Sequence, residues 1–464
     1  MTGIVWFRND LRLEDNPALS KACEEQDCLI LLYIQDPNTP LTLGDAQTWW
    51  LHHSLASLQK TLLSHSLTLC LKYGDSLAVL REFIKLHNVT HIYWNKVYEP
   101  AHLEKDTIIE AYFKKEGLTV KTYNAHLLIE PDDIKTQEGS FYKVFTPFWK
   151  QCLKKIQVPK AKTISKWPDS PIKSSEDLSE LKLLPQSANW VKKFHNYWTP
   201  GEESAQHQLE QFINNVLEDY AVKRDKLDVN ATSKLSPHLH FGEIGPRQLW
   251  RAMEMARNDS RINDKAIDKF LAEVGWREFS YYLLYHFPKL PKKNVQSKFD
   301  DFPWEEDVEA LKRWQQGQTG YPIVDAGMRE LWETGFMHNR ARMIVASFLT
   351  KDLMIDWRKG ADWFLHTLLD ADLANNSMGW QWVAGSGADA APFFRIFNPV
   401  LQSGKFDPNG EYIKQWVPEL RDIPTKWIHT PWKFDQKIPD YPEPIVNHQE
   451  ARKLALERYQ EIKD

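Results

Sequence analysis

Between Asp370 and Pro399 the sequence reads DADLANNSMGWQWVAGSGADAAPFFRIFNP, and its residue types suit a binding wall better than ordinary core. Asp370, Asp372, Asn375 and Asn376 are short polar groups that favour local hydrogen bonds and turns over helix interiors. Trp380-Gln381-Trp382 sets two large rings within three residues. Gly385, Gly387 and Ala388 are small enough to let another group approach the backbone. Arg395 and Asn398 close the stretch. Carboxylates, amides and indoles at this density fit a flat, polar, aromatic ligand. Taken alone, the stretch is equally well a loop between two helices whose aromatics pack, so other constellations must decide.

Three of these lie upstream. Thr232-Ser233-Lys234-Leu235-Ser236-Pro237 precedes a predicted helix. Hydroxyls at cap positions with Pro in the first turn mark a helix start. The same hydroxyls and free N–H groups can hold a diphosphate. Glu273 and Trp276 are three apart on a predicted helix and share a face. A carboxyl beside an indole can bond a base edge while the ring stacks, although Arg277, four residues from Glu273, can simply pair with it. His338-Asn339-Arg340-Ala341-Arg342-Met343 gathers cations, an amide and a thioether at a helix start, where Arg340 or Arg342 can hold a phosphate or a flavin ring. Trp304, Trp314, Trp357, Trp380 and Trp382 form either an indole relay for electrons or five packed aromatics.

These residues must be carried by elements. Residues 3–7, 28–34, 67–72, 90–94 and 118–123 read as apolar strands. Helical spacing fills 46–63, 76–87 and 105–115, with another helix from Ala18. Strand alternating with helix predicts a doubly wound parallel sheet. No GxGxxG follows the first strand, so a Rossmann dinucleotide grip is not supported. From about 154 to 196 Lys, Pro and Ser dominate, as in a linker over a surface. Beyond 200 the pattern is helical: 203–220, 247–257, 267–286, 308–316, 326–334, 340–351, 362–369 and a charged end from about 443. The expected organisation is an α/β domain at 1–130, a linker at 131–200 and an all-α domain at 201–464.

Composition limits the classes. The 464 residues with 42% hydrophobic content describe a globular chain, and 20 Trp is the outlying count. The cysteines Cys23, Cys28, Cys70 and Cys152 form no CxxC pair, which argues against zinc and against a disulfide framework. No stretch approaches the length of a membrane span, and the first residues carry charge where a secretory signal would be apolar. Net charge is −5. Residues 1–130 hold 12 Lys and Arg against 16 Asp and Glu, so the remainder is nearly neutral and leaves room for a basic face.

Together the motifs resemble the DNA photolyase/cryptochrome family, most closely its microbial class I cyclobutane pyrimidine dimer photolyases. The likeness runs through WFRNDLRLEDNPAL, YKVFTPFWK, TSKLSPHLHFGEI, WREF, TGYPIVDAGMREL, MHNRARM, the wall itself and KFDPNGEYIKQWVPEL. It implies an N-terminal antenna domain and a helical domain holding FAD, active when reduced. It also implies light-driven electron transfer to a flipped-out dimer in DNA. By this resemblance Tyr220, Thr232, Ser233, Lys234, Leu235, Ser236 and Phe270 take the phosphate and ribityl side of the cofactor. Arg342, Asp370 and Asp372 surround the ring and ribityl hydroxyls, and Asn376 faces flavin N5. Glu273 bonds the dimer and stabilises its charge. Trp276 and Trp382 flank it, with Asn339 and Met343 beside it. Trp380, Trp357 and Trp304 form the photoreduction relay, and Arg224, Arg340 and Arg395 meet the DNA backbone.

Asn375 stands where Ala is common in such enzymes, so the residue facing N5 is Asn375 or Asn376. The antenna segment reads Tyr93-Trp94-Asn95-Lys96-Val97-Tyr98-Glu99, and His102 stands where folate-binding members carry a Glu. The antenna is therefore methenyltetrahydrofolate, a deazaflavin, or none. No metal is expected. A cytoplasmic, nucleoid-associated monomer acting on damaged DNA is the expectation, with a cryptochrome receptor or (6-4) photolyase as alternatives. The last would place histidines over the lesion, for which His338 is the candidate.

Overall fold

The computed structural model describes residues 1–38, 43–173, 175–184, 189–389 and 394–462. Parts of two expectations, residues 390–393 of the wall and 174 and 185–188 of the linker, lie outside them.

Apolar runs become strands where both faces are covered. β1 (Thr2–Phe7), β2 (Cys28–Gln35), β3 (Leu69–Tyr73), β4 (His91–Asn95) and β5 (Thr119–Tyr123) pair in parallel in the order β3-β2-β1-β4-β5. α1 (Pro17–Glu25), α2 (Asp45–Ser64), α3 (Ser76–His87) and α4 (Pro100–Lys115) cross over between them. Alternate strand residues serve opposite faces. Ile4, Trp6, Ile30 and Trp94 meet α3 and α4 residues, whereas Val5, Phe7, Leu31 and Tyr33 meet Trp49 and Trp50 of α2. Strand order reverses between β1 and β4, the place where such sheets open a crevice. Here Arg8 fills it, paired with Asp106 at 2.6 Å, while Asn95 Nδ2 donates to Asn16 at 2.7 Å and bonds Asp10 at 2.5 Å. His102 lies 3.4 Å from Glu99 nearby. That end of the sheet is closed by its own side chains, and its geometry singles out no antenna chromophore.

The 131–200 stretch is more than a linker. It contains α5 (Phe145–Lys155), whose Phe148, Trp149 and Cys152 are buried in the core of the helical half. Its return path also packs, with Leu181, Val191 and Phe194 against one face of the sheet. Lys and Pro dominate the composition there and conceal the apolar residues that dock.

The helical half comprises α6 (Glu202–Asn215), α7 (Tyr220–Lys223), α8 (Ser236–His240), α9 (Pro246–Ala256), α10 (Asp264–His286), α11 (Val308–Gln315), α12 (Pro322–Thr334), α13 (Asn339–Ser347), α14 (Trp357–Thr367), α15 (Leu373–Ala384), α16 (Pro399–Phe406), α17 (Glu411–Trp416), α18 (Thr425–Ile428) and α19 (His448–Glu461). The single helix expected at 203–220 breaks into α6, a 3-10 turn at Leu217–Asp219 and α7. The one expected at 340–351 ends as α13 and continues as a π turn over Phe348–Asp352.

The halves interlock through Arg12, which is 1% exposed. Its guanidinium donates to the carbonyls of Gly242 at 2.8 Å and of Ala125 and Asp15 at 3.0 Å. The Leu11 N–H donates to Phe241 O at 3.1 Å. Gly242 has φ +68, and a Cβ there would stand 2.1 Å from Asn9 O.

Candidate active site

The wall around Asp370 is chiefly a helix, α15, rather than a loop. Asp372 explains why a segment so rich in Asn and Gly folds this way. Its side chain caps α15 by accepting the Asn375 N–H at 2.8 Å, and Gly385 ends the helix at φ +92. Asn375 Nδ2 also donates to Asp372 at 2.6 Å, so Asn375 belongs to the cap. Asn376 sits one residue on, buried, and donates to Ala361 O of α14 at 3.0 Å. Asp370 accepts from Arg342 Nη2 at 2.8 Å, and Arg342 Nε is held by Met337 O at 2.7 Å. Among the described residues Asp370 Oδ1 is buried with no partner. Burial pushes the Asp372 carboxyl up, opposed by His240 and the Asn375 N–H. Burial lowers His240 against the pull of Asp372 and Glu99.

On α15 the two indoles diverge. Trp380 is 2% exposed, with its Nε1 unpartnered among the described residues. It lies edge-on to Phe364 at 5.0 Å and to Trp314 at 6.2 Å. Trp382 remains half-buried. Between them Gln381 anchors the 290–295 loop, donating to Leu290 O at 2.7 Å and Lys293 O at 2.8 Å.

α10 packs beside α15. The Glu273 carboxylate is held by Arg224, at the end of α7, and by Lys269 at 3.2 Å. The Glu273–Arg277 pairing considered from spacing is not made. Arg277 turns inward, donating to His126 O at 2.8 Å and lying 3.5 Å from Glu278. Trp276 is half-buried and stacks on Phe145 of α5. Phe145 stands within one of the recognised motifs, yet its approach to Trp276 spans 131 residues and leaves no local signal.

At α13, His338 supplies the cap: its Nδ1 accepts the Arg340 N–H at 3.1 Å. Burial pushes His338 down to about 4, so the neutral ring an acceptor needs is the form present near neutrality. Arg340 pairs with Asp225 at 2.8 Å and touches Met343 Sδ at 3.5 Å, while Asn339 is exposed. The neighbouring Glu330 escaped sequence reasoning. It accepts from Tyr412 OH at 2.5 Å and the His338 N–H at 3.2 Å, and burial raises it to about 7.

At 232–236 the expected hydroxyl cap does not form. Leu235 is the cap residue and makes no side-chain bond, while Lys234 takes a left-handed conformation at φ +53. Among the described residues the hydroxyls of Thr232 and Ser236 make no hydrogen bond, and Ser233 Oγ accepts the Leu235 N–H at 3.4 Å. Tyr220 and Phe270 are buried against each other at 5.7 Å.

The remaining indoles converge on α14. Trp380 packs over Gly360. Trp357 opens the same helix, fully buried, with Nε1 donating to Asn294 at 2.9 Å. The strand-like bridge from Glu305 to Ile355 brings Trp304, partly buried, alongside. Arg395 stands apart, exposed over Phe397 at 5.1 Å. With Asn398, Gln402, His448 and Arg452 it lines a cavity of about 340 Å³.

The FAD binding domain of DNA photolyase matches residues 270–461, and a DNA photolyase domain matches 3–168. The chain is 46% identical to the deoxyribodipyrimidine photo-lyase of Agrobacterium fabrum, over 99% of this chain and 98% of that one. It is 38% identical to cryptochrome-2 of Arabidopsis thaliana, over 97% of this chain and 77% of the plant protein. The crystal structure of a bacterial class III photolyase from Agrobacterium tumefaciens superposes at a TM-score of 0.95 with 45% identity, covering 100% of this chain and 98% of that one. That neighbour is a class III enzyme, whereas the resemblance in the motifs is to class I. The donor set fits the cofactor this likeness implies. An unpartnered buried carboxylate oxygen at Asp370, an unpartnered indole N–H at Trp380 and unused hydroxyls at 232 and 236 are groups that a flavin dinucleotide would satisfy.

Proposed function

The chain belongs to the DNA photolyase/cryptochrome family, and from that membership we propose that it reverses cyclobutane pyrimidine dimers in DNA under blue light, as a deoxyribodipyrimidine photolyase. Reduced FAD, when bound, supplies the photoexcited electron. Asp370, Asp372, Arg342 and Asn376 hold its ring side. Tyr220, Thr232, Ser233, Lys234, Leu235, Ser236 and Phe270 hold its phosphate side. The Glu273 carboxyl meets the polar edge of the dimer as a proton donor or hydrogen-bond partner and so stabilises the negative charge that develops there. Trp276 and Trp382 receive the flipped bases, with Asn339 and Met343 at the rim. A dimer stacks and pairs poorly, which lowers the work of extruding it. Trp380, Trp357 and Trp304 return the cofactor to its active form. The enzyme works as a cytoplasmic monomer on duplex DNA, with the α/β domain at 1–130 and the catalytic domain at 201–464.

The Glu273–Trp276 pair on one half-open turn of α10 carries this reading, because a hydrogen-bonding carboxylate and a stacking ring are what lesion capture needs. The test is a repair assay. Reduced protein is mixed with a dimer-containing oligothymidine and illuminated with blue light beside a dark control. Thymine absorbance recovers in the light alone if the reading holds. Flavin photochemistry with no recovery favours the blue-light receptor, for which the 38% identity to a plant cryptochrome is the supporting observation.

A further inference from the structure

One face of Trp276 is already covered. Phe145, the first residue of α5, lies parallel to it with ring centres 3.8 Å apart and planes 11° from coplanar. Trp149, one turn further along α5, extends the stack at 6.3 Å and 12°. Trp149 is itself wedged under Gly275, where a Cβ would stand 2.7 Å from its ring. The segment is tied to the helical half on both sides of this stack. The Tyr142 N–H donates to Tyr282 OH at 3.0 Å, and the Phe145 N–H donates to Asp389 at 3.3 Å. Phe279 meets the Trp276 edge at 6.0 Å and 72°. Backed on one face and bounded at an edge, the indole has a fixed plane.

We propose that Phe145 is a positioning residue for lesion recognition: it braces Trp276 so that the opposite face of the indole is preset to stack on a flipped pyrimidine dimer. This rests on Trp276 being a lesion-stacking ring. A ring held in place before binding loses less rotational freedom when the base arrives, so the brace acts on affinity. A branched aliphatic side chain fills similar space without offering a flat face, which separates bracing from simple packing.

Lesion affinity is measured in the dark with a dimer-containing oligothymidine and its undamaged counterpart. Phe145→Leu should weaken lesion binding about three- to tenfold, the range an aromatic pair supplies. The loss should fall on affinity, not on repair at saturating lesion, with FAD content retained. Phe145→Tyr should restore binding. In a Trp276→Ala background, Phe145→Leu should add nothing. Unchanged affinity in Phe145→Leu, or an equal loss in the Trp276→Ala background, overturns the proposal. If the wild-type protein shows no preference for the lesion, the repair reading itself fails. The brace is then judged in free protein, where Phe145→Leu should alter the near-ultraviolet circular dichroism only while Trp276 is present; an equal change without Trp276 overturns it.

Discussion

Single side chains set the chemistry. Glu273 is ion-paired to Arg224 and Lys269, which holds its carboxylate in place in free protein. Glu273→Ala should lower repair per absorbed photon and weaken lesion binding by about 10- to 100-fold, the worth of a hydrogen bond to a charged group. FAD should stay bound, since the ion-pair partners of Glu273, Arg224 and Lys269, are not among the residues assigned to the cofactor. Full repair at unchanged yield would remove Glu273 from the mechanism. Glu278, a few residues further along, makes a different prediction. Its side chain accepts the Leu128 N–H at 2.8 Å, and burial pushes it up to about 7 despite the pull of Arg277. Free in the unfolded chain, it titrates near 4.5. Folding therefore favours the protonated acid. Its contribution is complete below the unfolded value and is lost as pH climbs through the folded one. Glu278→Gln should match wild type near about pH 4 and melt higher near about pH 8, by up to about 3 kcal/mol. Thermal unfolding at the two pH values checks this, and a gap that shrinks with rising pH would refute it.

At the scale of elements, α14 and α15 cross where Trp380 lies over Gly360. A Cβ at 360 would come 2.1 Å from the Trp380 ring, which is buried and has nowhere to retreat. Gly360→Ala should destabilise the protein by about 1–3 kcal/mol, the usual range for overpacking. It should also slow photoreduction of oxidised flavin if, as proposed, the displaced ring is the innermost of the relay. Unaltered melting and photoreduction would mean the crossing is looser than it looks. Periodicity made most elements legible: α3 is found at its expected bounds, and the five strands within a few residues. It failed at α15, where Asn375, Asn376, Ser377 and Gly379 are poor helix formers. There the Asp372 cap and burial of Ala374, Trp380 and Ala384 override local preference. It failed again at α5, whose apolar residues find their partners on α10, more than a hundred positions away. The candidate site was legible as motifs. Its ion pairs were not, because Arg224 with Glu273 and Arg340 with Asp225 join segments that spacing cannot connect.

Across the whole molecule, charge decides how DNA is met. Of the three arginines expected at the backbone, Arg224 and Arg340 are engaged with Glu273 and Asp225, while Arg395 is exposed beside Arg452. Each cation that binds a phosphate adds about 0.9 to the salt slope on duplex DNA. The logarithm of affinity for lesion duplex should therefore fall with the logarithm of salt by about 1 to 3, and Arg395→Ala should remove about 1 of it. A flat response would exclude these contacts. The interlock of the halves reaches beyond binding. Arg12 belongs to the first strand's loop, but one of its acceptors, Gly242 O, and its neighbour's acceptor, Phe241 O, come from far down the chain. Synthesis proceeds from the N-terminus, and domains tend to fold as they emerge. The sheet can assemble early, yet its loop carries a guanidinium whose burial site stays incomplete until residue 242 has left the ribosome. That site must wait for the helical half to be made, and the finished protein should unfold in a single cooperative step.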